Sequence, residues 1–221
     1  MKSVVLALLI ALFGGAAMAD DIAIANGSFQ TTDALSISCG TGCAYNYGPI
    51  PDWTVTGGQS GSQELNSTYY TSTSPSGPFM AYSNGSTISQ TLTGVSLLPD
   101  SVYTLSVYVG DRLDGENTSY SVSLDAGATV LNTFSGLTSS ITPGTFQQEF
   151  VTFTTGGTVT PGDLSIQLTS AGLQTDFADV DLTVQPVGDD PVGTPEPGTC
   201  LMLGMGLLGI LGLAVRKQAV V

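Results

Sequence analysis

Residues 102–109, VYTLSVYV, place Tyr103, Leu105, Val107 and Val109 on one side of an extended backbone and Thr104, Ser106 and Tyr108 on the other. Successive side chains of a strand point to opposite faces, so this alternation gives a ribbon with one packed and one wet face. Similar short runs, rich in Val, Thr, Ser, Tyr and Phe, recur at 87–93, 119–124, 128–134, 147–154, 164–169 and 178–184, separated by Gly, Pro, Asn and Asp. Between Asp20 and Val187 no stretch repeats its apolar residues at the helical period. The pattern predicts an all-β, antiparallel sandwich. Leu98-Pro99-Asp100-Ser101 and Thr142-Pro143-Gly144-Thr145 read as its corners. Residues 39–77, rich in Gly, Ser, Thr and Tyr, read as long loops around a short strand near 53–56, and loops of that length tend to carry function.

Both ends are addressed rather than folded. Lys2, an apolar run over 4–13 and the A-x-A site Ala17-Met18-Ala19 predict a secretory signal peptide over 1–19, with an uncleaved anchor as the alternative. The β-domain then occupies 20–186. The chain has 18 acidic and 4 basic residues, and of the basic ones only Arg112 lies between the two ends. So anionic a domain repels nucleic acid and favours divalent cations and neutral ligands. Cys39 and Cys43, in Cys-Gly-Thr-Gly-Cys, are read as a small-loop disulfide in an oxidising compartment; the alternative, a metal pair, lacks further His or Cys partners. Cys200 is unpaired by this count. The chain has no His, which removes the usual triad base, and no nucleophile stands beside an activating partner. A non-catalytic protein is expected.

Residues 187–194 continue a Pro/Gly/Asp-rich linker. Pro195-Glu196-Pro197 follows, then 18 uncharged residues over 198–215, then Arg216-Lys217. That run is just long enough for a transmembrane helix, and the terminal cations orient it with the β-domain outside. The three-part order over 195–218 resembles the PEP-CTERM sorting signal of Gram-negative bacteria that make extracellular polysaccharide. The resemblance implies recognition by an exosortase, transient anchoring in the inner membrane, processing near Pro195-Glu196-Pro197, and a final location at the cell surface or outside the cell.

The β-domain has a looser resemblance. Asn26-Gly27-Ser28-Phe29-Gln30, Ile50-Pro51-Asp52-Trp53-Thr54-Val55, the 103–110 strand and Asp176-Phe177-Ala178-Asp179-Val180-Asp181-Leu182 resemble the galactose-binding-like jelly rolls, which include many carbohydrate-binding modules. The resemblance implies a jelly-roll sandwich with first and last strands together. It also implies a structural calcium ion at the positions of Gln30 and Asp179. Gln30 departs from the acidic residue usual there, and local hydrogen bonding by Asp179 is the alternative. Sugar binding in such folds uses exposed rings that stack on pyranose faces. The candidates are Tyr45, Tyr47, Tyr69, Tyr70 and Tyr82, with Trp53 read as a core ring. Asp176 and Asp181 are expected to be exposed, and Asp111, Asp114 and Glu116 to form a solvated hairpin tip. The expected function is a surface or matrix protein associated with exopolysaccharide, either binding glycan or serving as a structural, adhesive component. A small secreted hydrolase is the third reading, and it would need a deep cleft with paired carboxylates.

Overall fold

The structure, a computed structural model, describes residues 19–115 and 117–188. Residues 1–18 of the expected signal peptide (1–19), Glu116, Pro195-Glu196-Pro197, the spanning run 198–215 and Arg216-Lys217 lie outside the described residues. Among the described residues no helix is long and apolar enough to cross a membrane.

Residues Ala19–Val187 form an antiparallel sandwich of jelly-roll type. Its strands are β1 (Asp20–Asp21), β2 (Ile37–Gly40), β3 (Cys43–Tyr45), β4 (Thr54–Glu64), β5 (Phe79–Ser96), β6 (Ser101–Asp111), β7 (Ser119–Ala126), β8 (Thr129–Leu137), β9 (Thr145–Thr154), β10 (Asp163–Ser170) and β11 (Gln174–Pro186). One path of hydrogen-bonded neighbours runs β2-β3-β4-β5-β10-β7-β8; a second runs β1-β11-β6-β9. The two meet where Gln174–Phe177 of β11 pair with Asn84–Ala81 of β5. From Asp176 onward β11 pairs with β6, across an irregularity between Ala178 and Asp181 where Asp179 adopts φ 52°. The first and last strands lie together, Asp20 opposite Val184.

All seven strands expected from alternation are present. Tyr103, Leu105, Val107 and Val109 are buried against Val122, Leu124, Ile166 and Leu168 from the facing sheet in one continuous core. Alternation missed β2, β3, most of β4 and the first half of β5. TVTGGQSGSQE of β4 has almost no apolar residues, yet it pairs along β5 from Thr54 opposite Ser89 to Glu64 opposite Phe79. Backbone pairing on both sides, rather than an apolar face, makes it a strand. Both strands bend where Gly57 (φ 80°) and Gly58 meet Gly85 (φ 68°). A Cβ on Gly58 would lie 2.1 Å from the Asn84 carbonyl oxygen, so the two backbones approach only because nothing is there.

That contact sets a test. Gly58→Ala is expected to lower stability in urea unfolding by about 1–3 kcal/mol, the usual cost of forcing atoms into a filled site. Gly156→Ala, where a Cβ meets nothing within 4 Å, is expected to stay close to wild type.

Candidate functional site

The pairing of β5 with β11 joins β4, β5, β11, β6 and β9 side by side. On one face of these strands Ala81, Val107, Val109 and Phe177 point into the main core. Their neighbours in sequence, Met80, Tyr82, Tyr108, Asp176 and Ala178, therefore point to the other face. A second apolar cluster forms there from Tyr70, Met80 and Ala178, with Leu65, Tyr69, Tyr108 and Phe146 packed against it. The 65–78 loop covers it, tied down by Thr71 N–H to the Gly144 carbonyl (2.8 Å) and by Leu113 N–H to the Tyr69 carbonyl (3.0 Å). At the margin of this cluster opens a cleft of about 250 Å³. Tyr45, Tyr47, Tyr69 and Tyr82 supply its rings, and Gln63, Arg112 and Gln174 its strongest polar groups.

Those polar groups form one chain. Arg112 Nη1 donates to Gln174 Oε1 at 2.5 Å. Gln174 Nε2 donates to Gln63 Oε1 at 2.6 Å and to Asp176 Oδ1 at 2.8 Å. The Tyr70 hydroxyl donates to Asp176 Oδ2. Arg112 Nη2 pairs with Asp114 at 2.5 Å, and its guanidinium carbon stands 4.0 Å from the Tyr69 ring centroid. Gly110 makes room for this: a Cβ there would meet the Tyr70 hydroxyl at 2.5 Å and the Phe146 ring at 2.8 Å. Tyr70 and Phe146 stack at 4.7 Å.

Burial, and secondarily the charge of Asp176, holds the Tyr70 phenol well above its usual pKa. Burial, then Tyr47 and Tyr45, pushes Tyr82 up. The hydrogen bond with Tyr47, 3.3 Å between hydroxyls, does the same for Tyr45. All three are phenols, not phenolates, at neutral pH. Burial first, then Asp114, raises Asp111, whose Oδ1 has no hydrogen-bond partner.

Of the five tyrosines read from the sequence, four line the cleft; Tyr70 lies buried beneath it, donating to Asp176. Trp53 sits in the main core, 5.1 Å from Phe29, with Nε1 donating to the Asn26 carbonyl. Cys39 and Cys43 are bonded, and the hairpin they clasp carries Tyr45. Asp176, expected to be exposed, is 0% exposed, because the face it occupies is roofed by the 65–78 loop; Asp181 is exposed. The expected solvated tip is corrected in part: Asp114 is exposed, but Asp111 is not. Asp111 and Arg112 are buried, since Gly144 N–H donates to the Asp111 carbonyl and the covering loop packs beside them. Sequence reasoning missed Gln63, Arg112, Gln174 and Asp176 as site residues. The only signal available was Arg112, the single cation of the domain; glutamines in a polar strand give none.

At the expected calcium positions Gln30 is tied to backbone groups and Asp179 is half-buried. Gln30 Nε2 donates to the carbonyls of Ser28 (2.9 Å) and Phe79 (2.8 Å), while its Oε1 accepts from Phe79 N–H. Calcium takes several oxygens; here the carbonyls of Ser28 and Phe79 converge on the Gln30 amide. Asp179 is half-buried, with its carboxyl pushed up by burial and then by Asp181. Among the described residues no three His, Cys, Asp or Glu side chains are grouped to hold a metal ion.

A jelly-roll sandwich with a tyrosine-walled, acid-backed cleft is the class these observations define. A family model described as HpiC1 cyclase, HpiC1-like, matches residues 20–183, and the chain belongs to that family. A second, the PEP-CTERM protein-sorting motif, matches 194–218. Among solved structures, a cyclase from Fischerella sp. TAU in complex with 4-(1H-indol-3-yl)butan-2-one is 25% identical, with a TM-score of 0.64 over 76% of this chain and 98% of that one. An apo cyclase from Fischerella sp. is 26% identical, with a TM-score of 0.65 over 76% and 98%. The Stig cyclase Fisc from Fischerella sp. TAU, in complex with (3Z)-3-(1-methyl-2-pyrrolidinylidene)-3H-indole, is 25% identical, with a TM-score of 0.65 over 77% and 100%. A comparison with curated proteins gives no match.

These findings overturn the expectation of a non-catalytic protein: the family and its solved relatives are cyclases, which are enzymes. The expectation leaned on the missing histidine, but carboxylates and phenols also move protons. The sorting motif is where Pro195-Glu196-Pro197 and Arg216-Lys217 predict it, and it implies export with transient membrane anchoring.

Two measurements follow from the geometry. A raised carboxyl pKa means the folded state disfavours the ionised form. Stability from Asp111 is therefore fullest below the usual carboxylate range and is lost as pH rises through the raised value. At neutral pH Asp111→Asn is expected to gain about 1 kcal/mol, an advantage that shrinks in acid. The calcium expectation is checked by the unfolding midpoint: an ion held at Gln30 and Asp179 raises it by several degrees and a chelator reverses the rise, since a ligand stabilises only what binds it; no shift would refute the ion.

Proposed function

We propose that the exported domain is a cyclase that closes a ring on a small, uncharged aromatic substrate held in the tyrosine-walled cleft. The observation that carries this reading is the hydrogen-bonded chain from Arg112 through Gln174 to the buried Asp176–Tyr70 pair. Family membership supports the reaction class, and the indole-bearing molecules named with two of the solved relatives support an aromatic substrate. The acidic surface favours a neutral one.

Ring closure within an unsaturated molecule needs no oxidant. One proton adds to a π bond, an internal π bond or heteroatom attacks the cation so formed, and one proton leaves; the product is an isomer of the substrate. The rings of Tyr45, Tyr47 and Tyr69 offer π faces to the developing cation. Arg112, Gln63 and Gln174 hold a substrate heteroatom and so fix the fold in which the reacting ends meet. Asp176, in register beside the cleft-lining Tyr82 and hydrogen-bonded to the cleft-lining Gln174, is with Tyr70 the pair to which the proton exchange is assigned, and it stands behind the cleft wall rather than on its surface. Sorting by an exosortase delivers the enzyme to the cell surface or beyond it.

A second reading rests on Tyr47. Its ring is 55% exposed and shares the cleft with the amides of Gln63, Asn84 and Gln174, the pairing of stacking face and hydrogen-bond groups that a pyranose takes. In that reading the cleft holds a sugar of the surrounding exopolysaccharide.

Incubated with a panel of alkenyl indoles, the protein is expected to yield a product of unchanged mass, shifted retention and lost alkene signals. Asp176→Asn and Tyr70→Phe are expected to lower kcat by about 100-fold or more. A wild-type protein that converts none of the panel but binds on a glycan array would replace the cyclase reading with the sugar reading.

A further inference from the structure

Tyr47 belongs to two cavities. Besides the cleft, it bounds a second space of about 430 Å³, which Pro49, Trp53, Val55, Gln59 and Ser60 also line. The chain that carries it runs beside β4, with Asn46 N–H on the Ser62 carbonyl and Gly48 N–H on the Ser60 carbonyl, both at 3.1 Å. Val55 and Gln59 precede that stretch of β4 and Gln63 follows it, so Tyr47 stands between the linings of the two cavities. Gly48, at φ 133°, turns the chain from Tyr47 to Pro49 through a conformation that other residues rarely adopt.

The two linings differ in chemistry. Behind its tyrosine rings, which take the reacting π system, the cleft presents Gln63, Asn84, Arg112 and Gln174. An apolar group placed against them would strip water from donors without replacing its hydrogen bonds. The second cavity presents Pro49, Trp53 and Val55, which gain from covering an apolar ring, together with Ser60, whose buried Oγ has no hydrogen-bond partner.

We propose that the two cavities are compartments of one site, divided by Tyr47. The ligand is an elongated amphiphile: a hydrogen-bonding head lies on Arg112 and Gln174, and an aromatic body lies between Tyr47 and the Pro49–Trp53–Val55 wall. The inference rests on the cyclase reading for the inner compartment and adds the second, which sets the length and the apolar end of the substrate. Tyr47 and Val55 become the residues that determine specificity.

Trp53, the single tryptophan of the chain, reports on the second compartment directly. The experiment titrates the full chain with benzylacetone, a ketone head on a phenyl body, following binding by ligand-observed NMR and Trp53 by its emission. Benzylacetone is expected to bind and to change the emission. Val55→Phe and Gln59→Phe, the second at an exposed position less exposed to misfolding, fill the compartment; each is expected to weaken binding about tenfold or more and to abolish the emission change. Gln174→Leu, which removes the head contact, is expected to weaken binding as well. If benzylacetone binds and Gln174→Leu alone weakens it, with Trp53 silent, the second compartment is refuted and the cyclase cleft stands. If only the filling variants weaken it, the cavities act separately and the two-compartment site is refuted. If neither benzylacetone nor 4-(1H-indol-3-yl)butan-2-one binds the wild type, both readings fall together.

Discussion

One strand holds the molecule and its chemistry together. β11 pairs with β5 through its first residues and with β6 through the remainder, so it is hydrogen-bonded into both halves of the sandwich. Strand alternation then decides which side chains go where. Phe177 enters the main core, while Gln174 and Asp176 face the opposite way, onto a surface that the 65–78 loop covers. The irregularity between Ala178 and Asp181 follows, and beyond it Leu182 and Val184 are again in the core. A one-residue slip before that point would turn Asp176 into the apolar core and Phe177 into the site.

The site works without the side chains most often used for proton transfer. A carboxyl group fully removed from water is costly unless hydrogen-bond partners replace its hydration. Asp176 receives Tyr70 on one oxygen and Gln174 on the other, and Gln174 is in turn fixed by Arg112. The lone cation of an otherwise acidic domain has been placed where a carboxylate is most deeply buried. The same burial keeps Tyr70 and Tyr82 as phenols, so the cleft presents donors and neutral π faces together.

The strands of the sandwich proper were legible because each buries one face, and burial writes period-two alternation into residues such as Tyr103, Leu105, Val107 and Val109. The strands that build the site were not. β4 is buried through Ser60, Ser62 and Gln63, whose backbones pair on both edges, so polarity there does not signal exposure. The tyrosines could be found from their rings, since Tyr45, Tyr47, Tyr69 and Tyr82 lie in the Gly- and Ser-rich region or just after it. Gln63 and Gln174 could not, because what they do depends on meeting across 111 positions of chain. Asp176 was misread as exposed because the loop that covers it begins about a hundred residues earlier.

The clasp between Cys39 and Cys43 closes the hairpin that carries Tyr45, and Cys43 Sγ accepts from Gln63 Nε2 at 3.9 Å. Cytoplasmic thiols are kept reduced, whereas exported ones oxidise. One wall of the cleft is thus joined covalently only after the chain has left the compartment in which it was made. The address written at its C-terminus and the completion of its binding surface become steps of one sequence, with transport first and a finished cleft second.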